Sequence, residues 1–299
     1  MKRLPQIAFL PDGKRLHLQD GPIDPIVEAK GRAPALRAAY DAAAARFTGL
    51  LDELCEELAE LRRAAQPAHC ALKGVVACRM QAAVAPFAAD CFITPMAAVA
   101  GSVAEEILIA MLGAADLDRA YVNNGGDIAL HLTEGQHFTV GLIDRPDRFG
   151  VLRSLTIEAD HPARGVATSG RHGRSFSLGI ADAVTVLART ASMADAAATV
   201  IANAVDLPGH PGVLRRPANA LQPDSDLGAR LVTRDVAALT ESDIEDALEA
   251  GADCARRLLA AGLIESAALQ LQGEARLVEA GEVRTRARRD RRLEEFVQA

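Results

Sequence analysis

The alternation of hydrophobic and polar residues divides the chain into short strands and apolar helices. Residues 5–30 have the pattern of a β-hairpin followed by a third strand, because Ile7–Leu10 runs into the turn triplet Pro11–Gly13 and alternating residues follow. His17 alternates with leucines in this region, so we expect it on the solvent side of a strand.

Helices are predicted where apolar residues recur every three or four positions, or where alanine is dense. The segments that meet this description are Pro34–Arg63, the stretch that follows Thr94 and Pro95, Thr190–Val205 and Glu241–Ala261, which ends at Gly262. Two other stretches lack the pattern and are expected to be irregular, one from Pro67 through Gly74–Cys78 and one over Leu207–Arg230.

Further strands are expected where short apolar or alternating runs lie between turn residues. These runs are Tyr121–Val122, Ile128–Leu132, Phe138–Ile143, Val151–Ala159, Phe176–Ile180, Asp182–Ala188 and Ala267–Val278, with a turn at Asp144–Asp147. Their spacing favours antiparallel meanders.

The segment Asn123–Asp127 lies between two of these strands and contains two adjacent glycines, Gly125 and Gly126. Glycines of this kind join hairpin strands, and they also allow a ligand to approach the backbone closely. The segment is therefore either a plain strand connection or one wall of a binding site.

Composition excludes several classes of function. The 299 residues have a net charge of −7, no Trp and only 3% aromatic residues, which argues against nucleic-acid binding. The five cysteines are scattered, and we expect free thiols in a reducing cytoplasm. We expect no signal peptide, because no apolar stretch follows the basic start of the chain. We also expect no membrane span, because we find no window with the roughly 18 apolar residues needed.

Small polar residues mark a second candidate site at Gly165–Gly170. Thr168 and Ser169 stand between glycines there, and such a segment can offer backbone N–H groups and hydroxyls to a phosphate. Arg171, His172 and Arg174 follow and suit an anionic group, with His172 as acid or base.

One helix carries a candidate metal site. Asp195 and Thr199 are four residues apart and share a helical face, which suits Mg²⁺. The run Ser192–Asp195 equally fits a capping box at the start of the same helix. The helix after Thr94 has a face of small residues over 97–104, which serves either close packing or the approach of a ligand.

Taken in order, these pieces resemble the ApbE-like superfamily, whose best-known members are FAD:protein FMN transferases. The resemblance covers roughly residues 90–205 and rests on Val122–Ile128, Gly165–Gly170, the strand Val184–Val186 and the helix with Asp195 and Thr199. The chain looks most similar to an uncharacterised bacterial and archaeal branch.

The resemblance implies an α+β fold in which two related β-α-β units, with antiparallel sheets and packed helices, surround a central cleft. It also implies a single domain over 1–299, with an N-terminal part to residue 66, a core over 67–205 and a C-terminal part from 206. The residues it assigns to the cofactor FAD are Asn123, Gly125, Gly126, Asp127, Thr168, Ser169 and Gly170. It assigns Asp195 and Thr199 to Mg²⁺, together with a backbone carbonyl near the small-residue helix.

The chain departs from the family pattern at two positions. Between the Thr-Ser-Gly segment and the following strand, the transferases carry a His-x-x-Asp-Pro-x-x-Gly loop, whereas this chain has Arg171–Ala181, with His172 and no Asp-Pro. Where the transferases have Lys-Gly, this chain has Ala100-Gly101. The fold therefore carries over better than the reaction.

Three functions are compatible with the sequence. The first is a protein that binds a flavin or another phosphate-bearing small molecule in a cleft, with FMN transfer from FAD as an extension. The second is an enzyme of different chemistry acting on a small anionic metabolite, and the third is a non-catalytic binding module. The arginine-rich tail over 284–292 fits either a nucleic-acid or acidic partner or a mobile or exposed terminal helix, and the protein could form a homodimer.

Overall fold

The computed structural model of the chain describes residues 4–145 and 148–280, and the side chains of these residues outside 142–155. Its helices are α1 Ala33–Phe47, α2 Leu50–Glu56, α3 Leu58–Leu61, α4 Val75–Val84, α5 Val99–Ala114, α6 Ala191–Ala204, α7 Ala218–Leu221 and α8 Glu241–Ala260. Its strands are β1 Gln6–Phe9, β2 Leu16–Gln19, β3 Pro25–Lys30, β4 Arg119–Asn124, β5 Asp127–Leu132, β6 His137–Arg145, β7 Arg148–Glu158, β8 Gly165–Ser169, β9 Ala183–Ala188, β10 Val213–Pro217, β11 Leu231–Val236, β12 Ser266–Leu271 and β13 Glu274–Glu279.

The chain divides into two compact units. The first contains residues up to 137 together with 158–167 and 187–197, and the second contains 138–157, 168–186 and the residues from 198 onward. Strands β8 and β9 and helix α6 each have residues in both units. That the whole chain is one domain stays a prediction.

In the first unit, the strands β1, β2, β3, β4, β5 and β8 are hydrogen-bonded neighbours in that order, and each adjacent pair is antiparallel. Alternate residues of β2 and β4 are buried, as expected for a sheet with one face on the core. Helix α5 packs on this sheet at β4 and β5, and α1 packs on α5. The core of the unit is formed by the apolar side chains between these layers.

In the second unit, β9, β12 and β13 are neighbours, β12 and β13 are antiparallel, and α8 packs on both of them. Two further two-stranded sheets are formed by β10 with β11 and by β6 with β7. The described chain is thus an α+β protein with antiparallel sheets, which confirms the predicted fold class.

Several predicted elements are confirmed, namely the N-terminal strands, the hairpin around 123–127, the helices α6 and α8, and the final strand pair. Gly262 ends α8 with a φ of 70°, as its position predicts. His17 is only partly exposed, and its Nε2 lies 2.5 Å from a carboxylate oxygen of Asp24, so this strand residue has a carboxylate partner.

The single helix predicted over Pro34–Arg63 is wrong. Helix α1 ends at Phe47, and Gly49 has a φ of 88°, which is a left-handed conformation that breaks the helical path before α2 begins. The apolar spacing alone predicts one helix, and Gly49 is the sequence feature that marks the break between α1 and α2.

The stretch from Pro67 is not irregular throughout, because α4 occupies Val75–Val84. The carboxylate of Glu57 accepts the backbone N–H groups of Lys73 and Gly74, both at 2.7 Å, and so satisfies donors at the start of α4. A distant acidic residue thus supplies the cap that the local sequence lacks.

Two other predictions are corrected in the second unit. The segment Phe176–Ile180 is not a strand, since Leu178 donates its N–H to Asn203 Oδ1 at 2.9 Å and Ile180 donates to the Val205 carbonyl at 2.8 Å. These partners at the end of α6 replace a neighbouring strand. The stretch Leu207–Arg230 contains β10 and α7, so it is not structureless.

By length and composition, one segment of the described chain, Pro95–Ala114, passes the test for a membrane-crossing helix, so the expectation that no window is apolar enough is wrong. In the structure this segment is a short 3₁₀ turn followed by α5, and α5 buries one face in the core of the first unit. The turn predicted at Asp144–Asp147 lies partly, and the arginines of 284–292 lie wholly, outside the described residues.

Helices α5 and α6 approach each other within backbone contact at Gly101. A Cβ atom on Gly101 would lie 2.3 Å from the carbonyl oxygen of Ala191. The small-residue face of α5 therefore serves close helix packing here, and this position admits no side chain.

We expect Gly101→Ala to lower the free energy of unfolding by about 3 kcal/mol, since one of the two helices must move away. Gly113→Ala is the matched control on the same helix, because a Cβ on Gly113 would meet nothing within 4 Å and alanine favours the helix by roughly 0.5–1 kcal/mol. Urea unfolding of both variants measures the difference. Equal stability of the two variants would contradict the close approach.

Candidate functional site

The hairpin between β4 and β5 turns at Gly125 and Gly126, whose φ angles are 72° and 109°. Two positive φ angles in a two-residue loop are typical of the tight turns that match strand twist. Asn123 Oδ1 accepts the Gly126 N–H at 2.9 Å. A Cβ on Gly126 would meet nothing within 4 Å, so the backbone angle rather than crowding requires glycine, and the outer side of the turn is open.

Asn124, the neighbour of the predicted residue Asn123, connects this hairpin to α5. Its side chain is 6% exposed, its Nδ2 donates to the Ala100 carbonyl at 3.2 Å, and its Oδ1 accepts the Asp24 N–H at 3.3 Å. Asn124 was not among the residues predicted from the sequence. The alternation along β4 could have identified it, because Asn124 shares the buried face with Val122 and a buried amide needs partners.

The Ala100–Gly101 peptide group, whose carbonyl accepts the Asn124 amide, donates its N–H to Asp195. Oδ2 of Asp195 accepts the Gly101 N–H at 3.0 Å, and the Ala100 N–H donates to this carboxylate as well. The carboxylate therefore satisfies the first turn of α5 rather than its own helix, and the capping box predicted at Ser192–Asp195 is wrong. The start of α6 is served instead by Glu105 Oε1, which accepts the Ser192 N–H at 2.6 Å, and by Thr190 Oγ1, which accepts the Met193 N–H.

Burial raises the pKa of Asp195 to about 7, although the N–H groups of Gly101 and Ala100 act in the opposite direction. Within the described part of the chain, no basic side chain pairs with this carboxylate. The residue is only partly buried, but loss of solvent around a carboxylate that lacks a cation makes ionisation costly, so a cation placed beside it would be stabilised.

The neighbouring carboxylates on α5 do have cations. Arg79 lies 3.3 Å from Glu105 and 2.9 Å from Glu106, and Arg46 lies 2.7 Å from Glu106. Burial alone would raise the pKa of Glu106, but the hydrogen bonds from Arg46 and Arg79 lower it below its ordinary value. The sequence did not indicate this cluster, because Arg79 directly follows a stretch interpreted as irregular and was placed on no helix.

In the second unit, the predicted residues Thr168 and Ser169 end β8, and the predicted Gly170 directly follows the strand. Thr168 is exposed and its hydroxyl lies 2.9 Å from that of Thr185, while Ser169 is partly buried. Gly170 has a φ of 153°, and a Cβ there would lie 2.5 Å from the Asp182 carbonyl oxygen. Both its angle and its surroundings require glycine.

His172 has a carboxylate partner that the sequence did not indicate. Its Nε2 lies 3.1 Å from Oδ1 of Asp182, a residue that is 5% exposed. Arg171 contacts the same oxygen at 2.6 Å, and the Gln272 N–H donates to Oδ2 at 2.5 Å. Gln272 has a φ of 47°, the positive φ of a non-glycine residue, in the turn that brings its N–H to Asp182.

The structure thus brings Asn123–Asp127, the start of α5 and Asp195 together within the first unit. Thr168, Ser169, Gly170 and His172 lie in the second unit, and Thr199 is a partly buried residue one turn after Asp195 on α6. No group of three or more His, Cys, Asp or Glu side chains suited to a metal ion occurs among the described residues. Contact of any of these residues with FAD or Mg²⁺ stays a prediction, as does the central cleft.

Comparison with known proteins agrees with the resemblance inferred from the motifs. The sequence profile of the family described as "AbpE bacteria" matches residues 7–277. The chain belongs to this family. The predicted relation to an ApbE-like, uncharacterised branch is confirmed.

The chain is also similar to archaeal proteins named UPF0280 protein. It is 39% identical to the one from Methanothrix thermoacetophila over 117 residues, which is 38% of this chain and 46% of the relative. For Methanothermobacter thermautotrophicus the values are 40% over 117 residues, 39% of this chain and 44% of the relative. The chain spans about half the length of the curated relatives it matches.

Among solved structures, the chain is similar to the apo form of the flavinyl transferase ApbE from Pseudomonas stutzeri. The two share 13% sequence identity at a TM-score of 0.48, and the similarity covers 93% of this chain and 95% of the other. At this level of similarity, function does not transfer from one chain to the other.

The raised pKa of Asp195 predicts a specific pH dependence of stability. Because the native pKa of about 7 exceeds the ordinary value of 3.8, the native state holds this proton more tightly than the unfolded chain, and stability falls as pH rises between these values. We expect Asp195→Asn to remove this loss, so that the variant gains stability relative to the wild type between pH 5 and pH 8 in metal-free buffer.

Guanidinium unfolding at both pH values measures the effect. Asp246→Asn is the control, because Asp246 is exposed on α8, and this variant should keep the wild-type pH dependence. A parallel pH dependence in Asp195→Asn and the wild type would show that Asp195 titrates normally.

Proposed function

We propose that this protein binds a phosphate-bearing small molecule, with FAD as the leading candidate, together with Mg²⁺ at Asp195. The observation that carries the proposal is the partly buried Asp195 carboxylate, which has backbone N–H partners but no basic side chain among the described residues. Glu106 on the neighbouring helix α5, by contrast, pairs with two arginines, Arg46 and Arg79. Asp195 therefore differs from the carboxylates around it in lacking a cationic partner.

The donor set fits Mg²⁺ in kind. This ion keeps several waters and is held in proteins by one or two carboxylates together with substrate phosphates. Asp195 supplies a carboxylate, and the predicted second ligand Thr199, four residues later on the same helix, supplies a hydroxyl. When bound, the ion would neutralise phosphate charge on the ligand.

The hairpin supplies backbone rather than side chains to such a ligand. Gly125 is exposed, and Gly126 is open on the side where a Cβ would stand. Asn123 fixes the turn through the Gly126 N–H, and Asn124 fixes the turn relative to the start of α5. We infer that the turn forms a preordered wall of the ligand site, made by Asn123, Gly125, Gly126 and Asp127. We also propose that the protein acts in the cytoplasm on a soluble ligand.

The proposal is tested by titrating the purified chain with FAD, with and without Mg²⁺, and following the quenching of flavin fluorescence. We expect Mg²⁺ to tighten binding in the wild type and in the control Asp246→Asn. In Asp195→Ala the Mg²⁺-dependent gain should fall by about tenfold or more. Unchanged Mg²⁺-dependent binding by Asp195→Ala would remove the metal assignment, and the absence of FAD binding in every variant would remove the flavin.

FMN transfer is the further step of this proposal. Incubation of the chain with FAD, Mg²⁺ and a Thr-containing acceptor peptide, with detection of released AMP, separates a transferase from a binding protein. Because the family loop with Asp-Pro is replaced by Arg171–Ala181, binding and transfer have to be measured separately.

A second candidate function has its own observation, the contact of His172 with the buried Asp182. A carboxylate that orients an imidazole is a common arrangement in acid–base chemistry on small metabolites. We expect His172→Gln to weaken the binding of inorganic pyrophosphate several-fold in calorimetric titration if this group meets an anion. Unchanged pyrophosphate binding, with FAD binding intact, would leave the first candidate alone.

A further inference from the structure

Two of the five cysteines share a hydrogen-bond acceptor in the first unit. All five are free thiols, as the sequence predicts. The Sγ of Cys78 lies 3.2 Å from the Leu72 carbonyl oxygen, and the Sγ of Cys70 lies 3.9 Å from the same atom. The two sulfur atoms are therefore no farther apart than the sum of these distances.

The two thiols also interact with each other. Burial raises the pKa of Cys78, and the neighbouring Cys70 raises it further by charge and by a side-chain hydrogen bond. Cys70 is exposed, whereas Cys78 is partly buried in the first turn of α4. The pair thus has one accessible thiol and one sheltered thiol behind it, the arrangement of an attacking and a resolving cysteine.

The backbone between the two cysteines is held at its far end. Glu57 accepts the N–H groups of Lys73 and Gly74, and the Cys78 N–H donates to the Gly74 carbonyl at 2.8 Å. The side of the pair that carries Cys78 is therefore fixed by backbone hydrogen bonds. None of these residues belongs to the site described above.

We propose that Cys70 and Cys78 form a reversible disulfide by exchange with a low-molecular-weight disulfide. The Cys70 thiolate attacks one sulfur of the small disulfide, and one small thiol leaves. The Cys78 thiolate then attacks the Cys70 sulfur of the mixed disulfide, and the second small thiol leaves. The two protons of the cysteines end on the two released thiols, and the two electrons lost by the cysteines reduce the small disulfide.

Such a pair is compatible with a reducing compartment, where disulfides that form are transient and redox-sensing. The disulfide would tie the segment before α4 to the first turn of that helix. Arg79, the residue after Cys78 on α4, forms ion pairs with Glu105 and Glu106 of α5. The disulfide would therefore be attached to a helix that contacts α5 through these ion pairs.

The test is peptide mapping of the full chain after incubation with oxidised glutathione. Trypsin cleaves after Arg63, Lys73 and Arg79, so Cys70 and Cys78 fall in separate peptides, 64–73 and 74–79. We expect these two peptides to be recovered joined under non-reducing conditions and separated after treatment with dithiothreitol. Cys55→Ser is the matched control, because it removes another exposed thiol and should leave the joined pair unchanged.

Single variants distinguish a resolving pair from a lone reactive thiol. In Cys78→Ser the glutathione adduct on Cys70 should persist, and in Cys70→Ser adduct formation on the sheltered Cys78 should fall at least several-fold. The proposal is overturned if the unmodified chain accumulates the Cys70 adduct to the same extent as Cys78→Ser, or if Cys70 joins Cys55 or Cys91 as readily as Cys78.

Discussion

A single peptide group, Ala100–Gly101, fixes the first unit at its candidate site. Its carbonyl accepts the Asn124 amide from the hairpin, and its N–H donates to Asp195 on α6. Because a peptide group is planar and rigid, these two partners are set at a defined separation and orientation. Gly101 must be glycine for this arrangement, since the Ala191 backbone occupies the place of a Cβ.

Each of the helices α5 and α6 supplies a carboxylate to the first turn of the other. Asp195 of α6 accepts N–H groups at the start of α5, and Glu105 of α5 accepts the Ser192 N–H at the start of α6. Both carboxylates satisfy backbone donors at the positive end of a helix, where negative charge is favoured. They differ in their other neighbours, because Glu105 also contacts Arg79. The same structural role therefore leaves Asp195 without a cationic partner among the described residues, and this asymmetry is the basis for the cation proposed at Asp195.

The sequence predicted the elements whose signal is local. The hairpin at Gly125–Gly126 and the helix α6 follow from turn residues and apolar spacing, and both are present. What it could not predict depends on partners far along the chain. Helix α4 is capped by Glu57, and the capping of α5 comes from Asp195, 94 residues away. The segment Phe176–Ile180, expected as a strand, is instead hydrogen-bonded to Asn203 and Val205 at the end of α6. These partners are also distant in sequence, so the local pattern could not indicate them.

The candidate residue His172 has a carboxylate partner, although the family motif that would supply one is missing from the sequence. The transferase loop with Asp-Pro is not present, yet Asp182 brings a carboxylate to His172 from the entry to β9. That carboxylate is already neutralised by Arg171 and accepts the Gln272 N–H. Asp182 therefore holds the imidazole of His172 in a fixed orientation, as a carboxylate beside an acid–base histidine does. The charge balance at the two sites is opposite, because Asp182 has its cation within the chain and Asp195 has none among the described residues, so a bound cation is expected at Asp195 alone.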